Sequence, residues 1–152
     1  MIIIAHRGNL YGPDSRENSP EAINVAIKKG FHVEVDIACK DKEIWLGHDI
    51  PQYQLPDYLW NDSDYNAKII YHCKDYAAME WALSKGPAMH CFAHSDDSFV
   101  LTSNRYVWTC DLRFASRNSI IMSLNPIQFT ELPYGICTDH PCRMKDYLDY
   151  KY

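Results

Sequence analysis

Eight short apolar runs, rich in β-branched and aromatic residues, recur along the chain: Ile2–Ala5, Val33–Ile37, Ile44–Leu46, Ile69–His72, Met89–Ala93, Tyr106–Thr109, Ile120–Ser123 and Gly135–Thr138. Most are continuous rather than alternating, the pattern of strands buried on both faces in α/β folds. Two connections read as helices. In Ser19–Lys29, Ser19 fits an N-cap, Pro20 the first helical position and Gly30 the stop. Asp75–Lys85, followed by Gly86-Pro87, repeats the pattern. Strand–helix alternation predicts a parallel sheet, and eight strands favour a (β/α)8 arrangement. The chain has only 152 residues, against the roughly 200 that such a barrel takes at minimum. The expectation is therefore one domain over 1–152, an α/β compact (β/α)8 TIM-type barrel with several helices shortened or missing.

Composition narrows the partners. At 47% hydrophobic and 23% charged the chain is of ordinary globular type, which excludes intrinsic disorder. Fifteen Lys and Arg face 20 Asp and Glu, for a net charge of −5. No basic cluster is present to displace phosphate counterions, so no nucleic-acid partner is expected. No apolar run approaches the ~20 residues of a bilayer span, and Met1-Ile-Ile-Ile-Ala-His-Arg-Gly lacks a basic leader region. A soluble, cytoplasmic protein without stable membrane insertion is expected. The six cysteines (39, 73, 91, 110, 137 and 142) contain no C-x-x-C pair and read as free thiols of a reducing compartment.

The segment from Val33 to His48 brings polar groups together. A turn at Asp41-Lys42 pairs residues whose numbers sum to about 83, placing Asp36 opposite Gly47 and His48 within reach across the ladder. Glu34 and Asp36, two apart on a strand, share a face. Val33, Val35 and Ile37 flank them on the other, so the carboxylates belong to a strand buried on one side. An unpaired buried carboxylate costs several kcal/mol, and two side by side are best satisfied by a cation. Oxygen ligands favour Mg2+, Ca2+ or Mn2+.

Four motifs occur in order: Ala5-His6-Arg7-Gly8, Glu17-Asn18-Ser19-Pro20-Glu21-Ala22, Glu34-Val35-Asp36 and Gly47-His48-Asp49. In type, order and spacing they resemble those of the glycerophosphodiester phosphodiesterases, in the phospholipase C-like phosphodiesterase superfamily, whose fold is a (β/α)8 barrel. The resemblance is close over residues 2–49 and thinner beyond, returning in Tyr134–Pro141, which is similar to the family's closing strand and implies a complete chain.

The resemblance implies that His6 and His48 are the general base and general acid, and that Glu34 and Asp36 hold a Mg2+ or Ca2+ ion, with Mn2+ as an alternative. It implies that Arg7 contacts phosphate and that Glu17 and Asn18 border the metal site. The activity implied is metal-dependent cleavage of a small glycerophosphodiester-like substrate, as in lipid metabolism. Alternatives are a phospholipase C-like or sphingomyelinase D-like lyase that stops at the cyclic phosphate, and a non-catalytic phosphate-binding barrel. Where the family offers a third metal carboxylate, two residues before a lysine, this chain has His72, with Lys74 in place as a phosphate contact. His72 then either completes the metal site or contacts substrate. His94 and Trp108, at or near the carboxyl ends of later strands, are further candidate substrate contacts. Asp139-His140 reads equally as a turn before Pro141 or as part of the site. His32 and His90 read as structural. Strand ends left bare by missing helices favour a homodimer.

Overall fold

The computed structural model describes residues 1–123, 129 and 131–151. All eight runs form strands, and two further short strands join them. The order is β1 (Ile2–His6), α1 (Pro20–Lys28), β2 (His32–Lys40), β3 (Glu43–Leu46), β4 (Tyr53–Gln54), α2 (Asp57–Asn61), α3 (Ser63–Asn66) and β5 (Ile69–Cys73). Then come α4 (Tyr76–Ser84), β6 (His90–Phe92), β7 (Phe99–Leu101), β8 (Val107–Thr109), β9 (Ser119–Met122), β10 (Gly135–Thr138) and α5 (Pro141–Lys151).

The expected (β/α)8 TIM-type barrel is not formed. The ten described strands make one mixed sheet curled into a half-barrel, running β4-β3-β2-β1-β10-β9-β8-β7, with β5 and β6 continuing from β2. A parallel neighbour demands a crossover long enough for a helix, whereas an antiparallel one needs only a turn. This short chain uses the turn three times: β2 to β3, β3 to β4, and β7 to β8 are antiparallel. Five helices remain among the described residues, too few to alternate with the strands. Seven strands are nevertheless parallel neighbours, in the order β6-β5-β2-β1-β10-β9-β8.

The two anticipated helices have the anticipated ends. Ser19 Oγ accepts a hydrogen bond from Ala22 N at 3.1 Å, and Pro20 follows it. Asp75 caps α4 through Ala78 N at 2.7 Å, while its other oxygen accepts from Cys39 N at 2.8 Å, tying the helix start to β2. Strand alternation then sorts the side chains. Val33, Val35 and Ile37 of β2, with Ile69, Tyr71 and Cys73 of β5, pack outward with Ile23, Ala26 and Ala82 of the helices. Ile4, Ile70, Phe92, Trp108, Ile120 and Cys137 meet on the concave side. Above that apolar layer the concave face turns polar. Burying each such aliphatic side chain contributes about 1.5–3 kcal/mol, so the lower layer fixes the strands on which the polar layer stands.

The hairpin register matches the sequence reading, with Ile37 opposite Leu46 and Lys40 opposite Glu43. The carbonyls of Glu34 and Asp36, two apart and so on one edge of β2, accept from Arg7 N (2.9 Å) and Gly47 N (3.1 Å). β2 thus outruns β1, and β3 takes over its edge. No helix among the described residues is long and apolar enough to cross a membrane. All six cysteines are free thiols.

Candidate metal and phosphate site

Two rungs of the ladder carry the polar groups. His6 of β1 lies in register with Glu34 of β2, and Asp36 of β2 with His72 of β5. Because β2 buries its carboxylates on the concave face, each is only 1% exposed. One ligand atom from each of Glu34, Asp36 and His72 lies within 4.8 Å of the others, a group that could hold a metal ion. Nδ1 of His72 is 3.0 Å from Asp36 Oδ1 and 3.6 Å from Glu34 Oε1. Neither contact is aligned as a hydrogen bond. Asp36 Oδ1 and His72 Nε2 are both buried without a hydrogen-bonding partner. Buried polar atoms in folded proteins are almost always paired, and an ion held with Glu34 and His72 Nδ1 would satisfy the orphaned Asp36 oxygen.

Around this centre the remaining charges interlock. Arg7 Nε sits 3.0 Å from Asp36 Oδ2, and Nη1 reaches Glu17 Oε2 at 3.1 Å. Asn18 grips Asp36 twice, donating through Nδ2 to the carboxylate (3.0 Å) and accepting from Asp36 N (2.9 Å). Arg7 and Asn18 both occupy left-handed backbone, at φ +54° and +60°, and Asn18 N donates to Arg7 O at 2.9 Å. Two residues held in a strained conformation thus join the loop after β1 to the start of α1. Gly8 (φ +79°) completes the turn, where a Cβ would come within 3.0 Å of the α1 backbone at Ala22. Lys74 Nζ approaches Asp36 Oδ1 at 3.8 Å.

Asp139, directly after β10, accepts from Asn9 Nδ2 and meets His6 Nδ1 at 2.7 Å. Asn9 also donates to Glu17 Oε1 at 2.8 Å, so one amide links the two carboxylates. With Nδ1 engaged, His6 presents Nε2 to the site, 3.9 Å from Glu34 Oε2. The titrations follow. Burial opposes charge on His6, but the Asp139 hydrogen bond and the nearby Glu34 outweigh it and raise its pKa. Against the same burial penalty, Asp36 and Glu34 raise His72. Burial would raise Asp36, yet His72, Asn18 and Arg7 hold it well below the usual carboxylate range. Asp139 is likewise lowered by His6 and Asn9 despite desolvation.

His48 stands apart from the carboxylates, at the end of β3. It faces Arg7, Glu17 and Asn18 across a cleft of about 370 Å3, and its Nδ1 meets Asp49 Oδ1 at 2.7 Å. Gly47, at φ +147°, allows the tight turn that aims it, since a Cβ there would collide with the Ile50 carbonyl. His94 lies at the rim with its ring stacked on His72 at 4.7 Å. Trp108 is 5% exposed and stacks on Phe92 at 4.4 Å, and Phe92 stacks on His72 at 4.7 Å. Trp108 therefore supports the floor of the site from the core, and only a crevice of about 20 Å3 opens beside it.

The structure brings His6, Arg7, Glu17, Asn18, Glu34, Asp36, His72 and Lys74 into one connected cluster, with His48 across the cleft and His94 at its edge. Asn9 joins the cluster without having been singled out, and Asp139, which read equally as a turn or as part of the site, joins it too. Asn9 carries no motif signal, and Asp139 gains its role only through the pairing of β1 with β10. No match was found to a family model, to a curated protein or to a solved structure.

Proposed function

We propose that the protein is a divalent-metal-dependent phosphodiesterase acting on a small glycerophosphodiester-like substrate, the activity implied by its four motifs. The observation that carries this reading is the pairing of a buried, incompletely satisfied Glu34–Asp36–His72 group with a His6–Asp139 dyad beside it. A divalent ion held by that group would supply Lewis-acid polarisation of the phosphoryl oxygens.

The chain's own residues account for the remaining steps. Asp139 holds His6 with Nε2 free toward the site, so that nitrogen accepts a proton from the attacking hydroxyl. Arg7 and Lys74 offset the charge that develops on the phosphoryl oxygens. His48, held by Asp49 on the opposite wall, returns a proton to the departing alkoxide oxygen as the P–O bond breaks. A substrate hydroxyl beside the phosphate gives a cyclic diester in this first half. Water then opens the ring, with the two histidines exchanging roles. Glu17 and Asn18 hold Arg7 and Asp36 in place throughout. The cleft of about 370 Å3 suits a small polar headgroup.

Phosphorus NMR of the purified protein with glycerophosphodiesters and added divalent metal tests the reading. Turnover to the monoester is expected, abolished by EDTA and lowered about 10²–10⁴-fold by His6→Asn or His48→Asn. Accumulation of a cyclic phosphate as the end product would reassign the enzyme as a lyase. No turnover of any diester would overturn the proposal.

A further inference from the structure

We infer that the Glu34–Asp36–His72 centre selects a first-row transition ion, of the Zn2+, Co2+ or Fe2+ kind, over Mg2+ and Ca2+. This rests on the metal-dependent reading above and deepens it.

Three observations converge. The first is donor type. Imidazole nitrogen suits Zn2+ and Fe2+, whereas hard Mg2+ and Ca2+ take oxygen almost exclusively. His72 is 7% exposed and lies in register with Asp36, its ring fixed by stacking on Phe92 and His94 at 4.7 Å each. It cannot swing aside to let water replace it without breaking both stacks.

The second is charge. A hard ion is held largely by the number of anionic oxygens around it. Here there are two carboxylates, and Asp36 already shares its charge with Arg7 at 3.0 Å and Lys74 at 3.8 Å. The weakened field penalises an ion bound by charge more than one bound by a directional nitrogen bond.

The third is spacing. The His72 Nδ1 separations of 3.0 and 3.6 Å from the two carboxylates bracket the edge of about 3.3 Å in a tetrahedron of ~2.0 Å bonds. Three protein ligands with a position left open is also the ligand count of catalytic zinc sites.

Calorimetric titration of the whole protein with Zn2+, Co2+, Mg2+ and Ca2+, beside His72→Asp, tests this. Wild type is expected to bind Zn2+ and Co2+ at least about 100-fold more tightly than Mg2+ or Ca2+. His72→Asp should narrow that ratio to about tenfold or less. Should His72→Asp misfold, the Co2+ form of the wild type provides a second readout, since ligation through His72 places a hyperfine-shifted imidazole N–H in the proton spectrum. Equal affinity for Mg2+ or Ca2+, or a Co2+ spectrum without that resonance, overturns the selectivity and leaves a metal site standing. Binding of none of the four ions overturns the metal site and with it the proposed function.

Discussion

Asp139 meets His6 across 133 positions of sequence, at 2.7 Å, and this contact decides which imidazole nitrogen is offered to the site. Asp139→Asn keeps the shape but replaces an acceptor-only carboxylate with an amide whose NH2 can also donate to Nδ1, so the Nδ1–H tautomer is no longer enforced. Nitrogen-15 shifts of the His6 ring are expected to move from a single tautomer to a mixture. Turnover of a diester should fall by about 10²–10⁴, as it does when a base loses its orienting carboxylate. An unchanged tautomer would show that the Asp139 carboxylate is not what sets it. Glu34 and Asp36 were legible because period-two alternation puts them on one face while valines and isoleucine mark the other, and His6 stood out only through the resemblance of its motif. Asn9 was not legible, and Asp139 read equally as a turn residue or as part of the site, because their contacts depend on which strand closes against β1, a long-range pairing with no local signature. Trp108 shows the converse. Its strand position was readable, but its burial in the core stack depends on Phe92 and the curl of the sheet.

The β2–β3 hairpin turns on Asp41 and Lys42, both in left-handed backbone at φ +53° and +68°. Two-residue turns with positive φ at both positions prefer Asn-Gly, and a side chain in that region costs about 1 kcal/mol. The double substitution Asp41→Asn/Lys42→Gly should therefore raise stability by about 1 kcal/mol, measured by urea unfolding, without altering metal affinity. A loss of stability would mean that Lys40–Glu43 and its neighbours hold the turn in a different geometry. Register and turn were legible here because hairpin geometry is local. Strand β4 was missed because two residues carry no period, whereas β7 is as long as the legible β6 and β8 and its length does not explain the omission. Helix α5 was missed because its mean hydropathy is low and it buries only Pro141 and Met144, leaving little apolar stripe to read.

At the scale of the molecule the strands were legible, but their arrangement was not: a curled half-barrel stands where a (β/α)8 barrel was expected. Counting apolar runs says nothing of whether neighbours are joined by crossovers or by turns. Helices α1, α4 and α5 pack on the half of the sheet that carries the site, while β7 leaves Phe99 and Leu101 exposed. The opposite, amino-terminal end of the strands holds His32 and His90. Burial, with His32 nearby, pushes His90 down to about 4, and burial beside Lys68 lowers His32. Both bind protons more readily unfolded than folded. Their contribution is therefore intact above pH 6.5 and lost as pH falls toward 4. Unfolding free energy should drop by about 2 kcal/mol between pH 7 and 4.5, and His90→Gln, which cannot titrate, should flatten that slope. An equally steep profile in the variant would place the acid sensitivity elsewhere. His6 and His72, shifted upward, titrate on the alkaline side of this window.

The two rungs that pair His6 with Glu34 and Asp36 with His72 have one more consequence. Sliding β2 by a single residue against its neighbours would turn Val33, Val35 and Ile37 into the concave face and send both carboxylates among the helices. Such a chain could remain compact and rich in β-structure, yet it would be chemically silent. Binding of metal by the Glu34–Asp36–His72 group, as proposed, would therefore count the molecules whose strands are correctly threaded, which circular dichroism cannot do.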